Sequence, residues 1–417
     1  MTETELWSSG SIDRGSGGQP LALLRGSLSR IRSGDLGVLP VVGGLFVLAV
    51  VFQTLNVHFL TAGNLVNLMV QGAVYMLLSL GTVFVLLIGE VDLSIGFIGG
   101  VAGVVTATVV YGSAGSPWCV AIGAGVAAGT AIGLFHGLLI TGIGLPSFVV
   151  TLAGLLAWNG VMLIILGNGG TLPINDNVIV GLANGLIPPA VGWMIAVPLV
   201  VVFAVDRIAA VRRKIRAGNT RPPWAVVGLH IGVTAVVAAV VLALCSVNRG
   251  NFAPIRGVPF VLVIVLFFAV VWTVLLGRTA FGTYIYAIGG NAEATRRAGI
   301  AVNRIRIAVF GISGLMGAVG GIIYASRLRS VSTNLDGGTL VLYSIAAAVI
   351  GGTSLFGGRG KAVHAVLGGL VIATIDNGMG LLGLAAADRY VVTGIVLIAA
   401  VTIDSIARRS RASAGLS

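Results

Sequence analysis

The chain has 417 residues, of which 57% are hydrophobic and only 9% are charged, and its mean hydropathy is +1.05. A water-soluble domain carries roughly 25% charged residues, so this composition excludes a soluble globular protein and points to a chain solvated by lipid. The formal net charge of +12 would suit a nucleic-acid binder. The basic residues, however, sit in short loops between apolar runs and form no continuous face, which argues against nucleic acid and leaves membrane lipids as the surroundings.

Residues 1–35 are polar and rich in Gly and Ser, with Arg14, Arg25, Arg30 and Arg32. They read as a disordered cytoplasmic tail without a cleavable signal, because the first apolar run is long enough to span and lacks a small-residue cleavage site. From 36 to 406 the chain reads as one transmembrane domain, followed by a short cytoplasmic tail at 407–417. With about 20 apolar residues needed per span, helices are expected over 38–55, 65–89, 95–111, 118–141, 148–166, 191–209, 224–246, 258–277, 305–325, 339–357, 362–382 and 389–404. The expected fold class is therefore all-α, a polytopic bundle of about 10–12 spanning helices. The 63 glycines show no Gly-X-Y period and suit helices packed backbone to backbone.

When alternate loops are assigned to one side, only Arg249, Arg256, Arg327, Arg329 and Arg389 of the 25 basic residues fall on the other. The positive-inside rule then puts both termini in the cytoplasm of a multi-pass protein. Cys119 and Cys245 fall in apolar segments and are expected to be packing residues rather than a disulfide. His58, His136, His230 and His364 lack metal-ligand spacing and are expected at helix contacts; no metal site is expected.

A short repeat is visible. IGEVDLSIG (88–96) and IGGTSLFGG (350–358) share Ile-Gly, Leu and Gly at the same offsets, and FVVTL (148–152) is echoed by YVVTG (390–394). Two expected spans separate the first motif from FVVTL, but one separates the second from YVVTG. The repeat and the span count therefore conflict.

The polar stretch 278–306 reads RTAFGTYIYAIGGNAEATRRAGIAVNRIR. Asn291 can cap a short helix begun by Ala292 and Glu293, and Gly299 can end it. Glu293 in its first turn and Arg296 and Arg297 in its last complement the helix dipole. Local physics leaves two equal readings: a docking element for a soluble partner, or an amphipathic connector. Polar groups within apolar runs form a second set of candidates, because a carboxylate in a bilayer needs a partner, a cavity or an interface. Glu90, Asp92 and Ser94 either cap a helix or line a path. Asp376 and Asn377 are favoured as path residues, since neutral hydroxyl-bearing solutes suit Asp and Asn as ligands. Thr353 and Ser354, in a Gly-flanked break, are candidates on the same chemistry or ordinary packing residues. GGRGKA (357–362) imitates a Walker loop, but Leu355 and Ala362 stand where Gly and Ser or Thr are required. With no catalytic constellation elsewhere, the chain is not expected to be an enzyme.

EATRRAG (293–299) resembles the EAA-type cytoplasmic loop of ABC importer permeases, with Thr295 in place of the second Ala and without the Leu-Pro that often follows downstream. The surrounding YAIGGNAEATRRAGI, with EVDLSIG (90–96), LPSFVVTLAGLLAWNG (145–160), VIGGTSLFGGRG (349–360) and IDNGM (375–379), resembles the ribose/xylose/galactose permease group over residues 38–404. The extra apolar pair around 191–246 and its loop RRKIRAGNTRPP resemble the longer xylose permeases. The resemblance implies a permease subunit of an ATP-driven monosaccharide importer in a bacterial inner membrane, with xylose as the sugar. It implies a homodimer or a pair of permeases, two cytoplasmic ATPase subunits and an external sugar-binding protein. It also implies ATPase coupling by Asn291, Glu293, Ala294, Arg296, Arg297 and Gly299. No cofactor is then bound by this chain; ATP and Mg²⁺ belong to the partner subunits. A proton-coupled secondary transporter is the alternative. The EAA-like loop weighs against it, as does the lack of a basic Gly-x-x-x-Asp-x-x-Gly-Arg-type loop after the second span.

Overall fold

The structure is a computed structural model that describes residues 39–402 apart from 112–115, 168–169, 217–223, 251–252, 334, 397 and 399–401. The two expected terminal tails, 1–35 and 407–417, lie outside the described residues. Thirteen helices follow one another as α1 (Leu39–Leu55), α2 (Ala62–Leu87), α3 (Ile95–Tyr111), α4 (Trp118–Gly142), α5 (Ser147–Leu166), α6 (Asn177–Asn184), α7 (Pro189–Arg216), α8 (Trp224–Ser246), α9 (Phe260–Arg278), α10 (Ala280–Arg297), α11 (Val302–Leu328), α12 (Gly337–Ile350) and α13 (Ala362–Leu381). Residues 386–396 form a further helical turn sequence.

Eight of these helices are long and apolar enough to cross a membrane, and α1, α3 and α12 are shorter apolar helices. At 1.5 Å per residue, α2 with its 26 residues reaches about 39 Å, beyond the ~30 Å of a hydrocarbon core. The 17 residues of α3 and 14 of α12 reach only about 25 and 21 Å. Each of these short helices adjoins a non-helical break, at 88–94 and 351–361. The expected span 339–357 is corrected accordingly: its helix stops at Ile350, because Gly351 and Gly352 follow and Gly352 takes φ +110°. Most of the stretch 278–306 is helical, with the backbone leaving the helix at Asn291.

The centre is α2, α3, α11, α12 and α13. Helix α2 is buried along most of its length, whereas α7 and α8 leave most of their surface outward, as helices facing lipid would. Small residues set the central packing. A Cβ added to Gly321 of α11 would lie 2.0 Å from Gly99 O of α3, and one on Gly314 would lie 2.2 Å from Gly129 O of α4. Backbones this close are how membrane helices gain dispersion contact without a hydrophobic driving force between them. Contacts between Gly72 and Ala373 and between Met76 and Gly369 make α2 and α13 antiparallel neighbours.

Four short strands, β1 (Thr171–Pro173), β2 (Leu186–Ile187), β3 (Val258–Pro259) and β4 (Ser330–Ser332), pair antiparallel as β1 with β4 and β2 with β3. With α6, they cover the end of the bundle remote from the two breaks. Asp176 caps α6 through the N–H groups of Val178 and Ile179, both 2.9 Å.

The repeat resolves into two parts. The motifs at 88–96 and 350–358 form the two breaks, which touch: Gly358 N–H donates to Leu87 O at 2.9 Å. FVVTL and YVVTG are not equivalents. Thr151 reaches Val91 O in the first break at 3.3 Å, whereas Tyr390 lies at the opposite end of the bundle, bonded to Asp336. The conflict in span parity disappears with that echo. Cys245 is buried as expected, but Cys119 is exposed and not a packing residue, being in the first turn of the peripheral α4.

Overpacking a filled interface costs about 1–3 kcal/mol and more where backbone blocks the new atoms. Gly321→Leu should therefore cut the yield of monodisperse protein extracted from membranes several-fold. Gly123→Leu, at a position with nothing within 4 Å, should leave it unchanged.

Candidate functional site

Polar side chains gather at both ends of the α2–α13 pair. Towards the end remote from the breaks, α2 carries Asn64, Asn67, Gln71 and Tyr75, spaced so that they share one helix face. That face meets Asp376 and Asn377 of α13. Asn64 Nδ2 donates to Asn377 Oδ1 at 2.9 Å, Tyr75 donates to Asp376 Oδ2 at 2.7 Å, and Gln71 Nε2 also donates to Asp376. Two cavities flank this cluster. One, of about 210 Å³, is lined by Asn64, Asn67, Gln71, Asp376, Asn377, Gly380, Leu381 and Arg389. The other, of about 190 Å³, is lined by Tyr75, Tyr324, Asp336, Thr339, Leu340, Tyr343, Asp376, Ala386, Arg389 and Tyr390. Asp376 and Arg389 border both. Each has room for several waters, and the Asp376 carboxylate borders that space. Arg389 uses Nε on Leu384 O at 3.1 Å, and Tyr390 donates to Asp336 Oδ2 at 2.8 Å. The cleft thus offers amides, phenols, carboxylates and one guanidinium, a set that suits neutral hydroxyl-bearing solutes.

The other polar candidates lie at the break end. Glu90 pairs with Arg306 of α11 at 2.9 Å, and its second oxygen has no partner among the described residues. Asp92 is wholly buried and accepts from Ser94 N–H at 2.9 Å, Ser94 Oγ at 2.6 Å and Ser313 Oγ at 2.7 Å. The Trp158 indole, which only donates, bonds His136 Nε2 at 2.9 Å. The His136 proton therefore sits on Nδ1, facing Ser94 Oγ at 3.3 Å. This chain ties α4, α5 and α11 to the first break, and the Asp92–Ser94 pair starts α3. Thr353 and Ser354 are buried in the second break and line neither of the two cavities. Ser354 N–H donates to Arg359 O at 2.8 Å, and its Oγ accepts from Phe356 N–H at 3.2 Å.

Helix α10 kinks at Asn291, whose backbone is extended (φ −158°, ψ 100°). Its Oδ1 accepts from Ala294 N–H at 2.9 Å, which caps the second segment. The segment closes with Gly299 at φ +84°, where Gly299 N–H reaches Arg296 O at 3.0 Å and Ile300 N–H reaches Thr295 O at 3.3 Å. That pair of bonds is a Schellman ending, which needs a left-handed residue. Glu293 pairs with Arg297 at 3.0 Å and Arg296 at 3.5 Å, all three well exposed. Exposed pairs of this kind add little stability, so their charges remain available to the surface.

The structure thus groups the candidates as Asp376 with Asn377, Glu90 with Asp92 and Ser94, and Asn291 with Glu293, Ala294, Arg296, Arg297 and Gly299. Reading the sequence missed the α2 stripe, Arg389, Tyr390 and Asp336 in the cleft, and Ser313, His136, Trp158 and Arg306 at the breaks. Only the α2 stripe carried a legible signal, its helical spacing within an apolar run. Removing Asp92 strands three buried donors, each costing about 1–3 kcal/mol. Asp92→Ala is expected to lower thermal stability in detergent well beyond what Glu293→Ala does, by a melting measurement on purified protein.

Residues 64–401 match the family described as the branched-chain amino acid transport system / permease component. The chain is similar to the xylose transport system permease protein XylH of Escherichia coli strain K12, 35% identical over 92% of this chain and 95% of that protein. The XylH protein of Haemophilus influenzae strain Rd is 34% identical over 83% of this chain and 90% of its own length. The ribose import permease protein RbsC of Bacillus subtilis strain 168 is 32% identical over 87% and 90% respectively. No solved structure matches the chain. With eight membrane-length helices among the described residues and a match that runs from α2 to the last described helix, the chain is a multi-pass membrane protein and belongs to this permease-component family.

Proposed function

We propose that the chain is the membrane-spanning permease subunit of an ATP-driven importer for a monosaccharide, with xylose as its sugar. The observation that carries this reading is the similarity to XylH along 92% of the chain, which includes the capped segment of α10 and both faces of the α2–α13 cleft. In this reading the segment 291–299 is the docking element for a cytoplasmic ATPase subunit. Its fixed ends support that role, because a short helix seated in a groove binds through one face and needs defined end geometry. The breaks then face the cytoplasm with both termini, and the cleft at Asp376 faces the external sugar-binding protein. Two permeases and two ATPase subunits make the complex. ATP and Mg²⁺ reside in the ATPase subunits, and this chain transports without catalysing.

The cleft supports the path assignment because Asp376 and Asn377 are polar groups of an otherwise apolar helix, and Asp376 borders both cavities. Affinity comes from the external protein and direction from ATP, so the path need hold sugar only weakly. The test is uptake of labelled xylose and ribose in a strain lacking the chain, restored with and without its ATPase subunit. Xylose uptake that requires the ATPase supports the reading. Uptake that persists without it and collapses with a protonophore would instead identify a proton-coupled transporter.

Asp376→Asn is expected to lower the maximal uptake rate at least several-fold, with little change in the sugar concentration giving half of it. Membrane abundance and ATPase association should stay within about twofold of wild type. If abundance falls and uptake per folded complex is unchanged, the carboxylate is structural.

A further inference from the structure

The backbone of α10 packs directly against the two helix breaks. Gly358 N–H donates to Leu87 O at 2.9 Å, so one of the carbonyls left open at the C-terminus of α2 is satisfied from the other break. Gly289 lies on this hydrogen bond: a Cβ there would sit 1.8 Å from Leu87 O and 2.3 Å from Gly358 N. Gly357 closes on the same spot, where an added Cβ would meet Gly289 O at 2.9 Å and Gly89 N at 3.0 Å. One turn earlier, the Tyr286 hydroxyl donates to Gly360 O at 2.7 Å. Gly290 alone separates Gly289 from the kink at Asn291. Beyond α10, Arg306 grips Glu90 of the first break at 2.9 Å, so the polar stretch is held on both sides.

A contact between side chains can absorb a displacement by changing rotamer, but a contact between backbones cannot. A shift of the capped segment 292–297 must therefore move both breaks together or break the Leu87–Gly358 bond. The breaks end α2 and begin α13, the same two helices that carry Asn64, Gln71, Asp376 and Asn377 to the cleft. We infer that Gly289 is a positioning residue that transmits movement of the docking segment to the α2–α13 pair. This rests on the importer reading above and adds to it a named point of transmission.

The test uses the full complex of permease, ATPase subunits and binding protein in liposomes, with sugar uptake and ATP hydrolysis measured on the same preparation. In Gly289→Ala, ATPase co-purification and basal hydrolysis should stay within twofold of wild type, while sugar moved per ATP falls at least tenfold. Gly290→Ala, whose Cβ meets nothing within 4 Å, should match wild type. Should Gly289→Ala fail to assemble, Tyr286→Phe removes only the hydroxyl bonded to Gly360 and should lower sugar per ATP two- to fivefold at normal abundance. A merely structural role would change the amount of complex and leave that ratio alone. An unchanged ratio in Gly289→Ala, or in Tyr286→Phe where the former does not assemble, overturns the inference. A wild-type complex without ATP-dependent uptake overturns the importer reading, and the inference with it.

Discussion

A polar group inside a bilayer must find its partner within the protein or in trapped water, because leaving it unpaired costs several kcal/mol. That constraint organises this molecule. It fixes the rotation of α2, since only one face brings Asn64, Gln71 and Tyr75 onto Asp376 and Asn377. Turning α2 by one residue, about 100°, would aim these groups at apolar neighbours. It also explains why the first break is so heavily bonded. Backbone that leaves the helical pattern inside a membrane protein is tolerated where other protein groups satisfy it, and Asp92, Ser94 and Ser313 do this at 88–94.

Glycine supplies the complementary freedom. Helices in lipid approach closely only where side chains are small, and α11 meets α3 and α4 at Gly99, Gly129, Gly314 and Gly321. Such tight seams make α3, α4 and α11 one unit. The outer pair α7–α8 lacks comparable seams on the centre and is tied to α9 by the Asp206–Arg278 pair at 2.6 Å. Its exposed surface is what a lipid-facing addition to a complete core requires.

Much of this was legible in the sequence because apolar run length and charge placement act locally. Asn291 and Gly299 announced their capping roles, and the structure shows the matching bonds, since a helix end is decided by residues within one turn of it. The break at 351–361 was legible in part: the glycines flanking Thr353 and Ser354 marked it, while Leu355 and Phe356 kept hydropathy high enough to carry the expected span 339–357 across the bends at Gly352, Gly357 and Gly358. The cleft was half visible. Asp376 stood out as a charge among apolar residues, whereas Gln71 and Tyr75 carry no charge and showed only through their spacing. Arg389 comes from another helix and Asp336 from the cap before α12, and no local pattern ties them to Asp376. The same holds for Gly289, one of 63 glycines, which acquires meaning only when Leu87 and Gly358 are placed on either side of it.

The two polar ends of the bundle share helices, and that sharing has a mechanical consequence. Asp376 and Asn377 sit on α13 towards one end; at the other, α13 begins just after the break that Gly289 touches. Helix α2 likewise carries the cleft stripe near its start and gives up its last carbonyl to Gly358. A helix is stiff along its axis, because every turn is closed by its own hydrogen bonds, so displacement at one end appears at the other with little loss. Between the ends, Gly72 with Ala373 and Met76 with Gly369 lock α2 to α13, which lets the pair move as a unit rather than slide. The cleft therefore cannot widen by independent motion of α2 or α13; it must change through the partners that border it, Arg389 and Tyr390 of 386–396 and Asp336 before α12. Those groups bond within their own elements and to one another, Arg389 by Nε on Leu384 O, Tyr390 by its hydroxyl on Asp336, and Asp336 by accepting from Thr339 N–H at 3.0 Å, so this wall of the cleft is built apart from the locked α2–α13 pair.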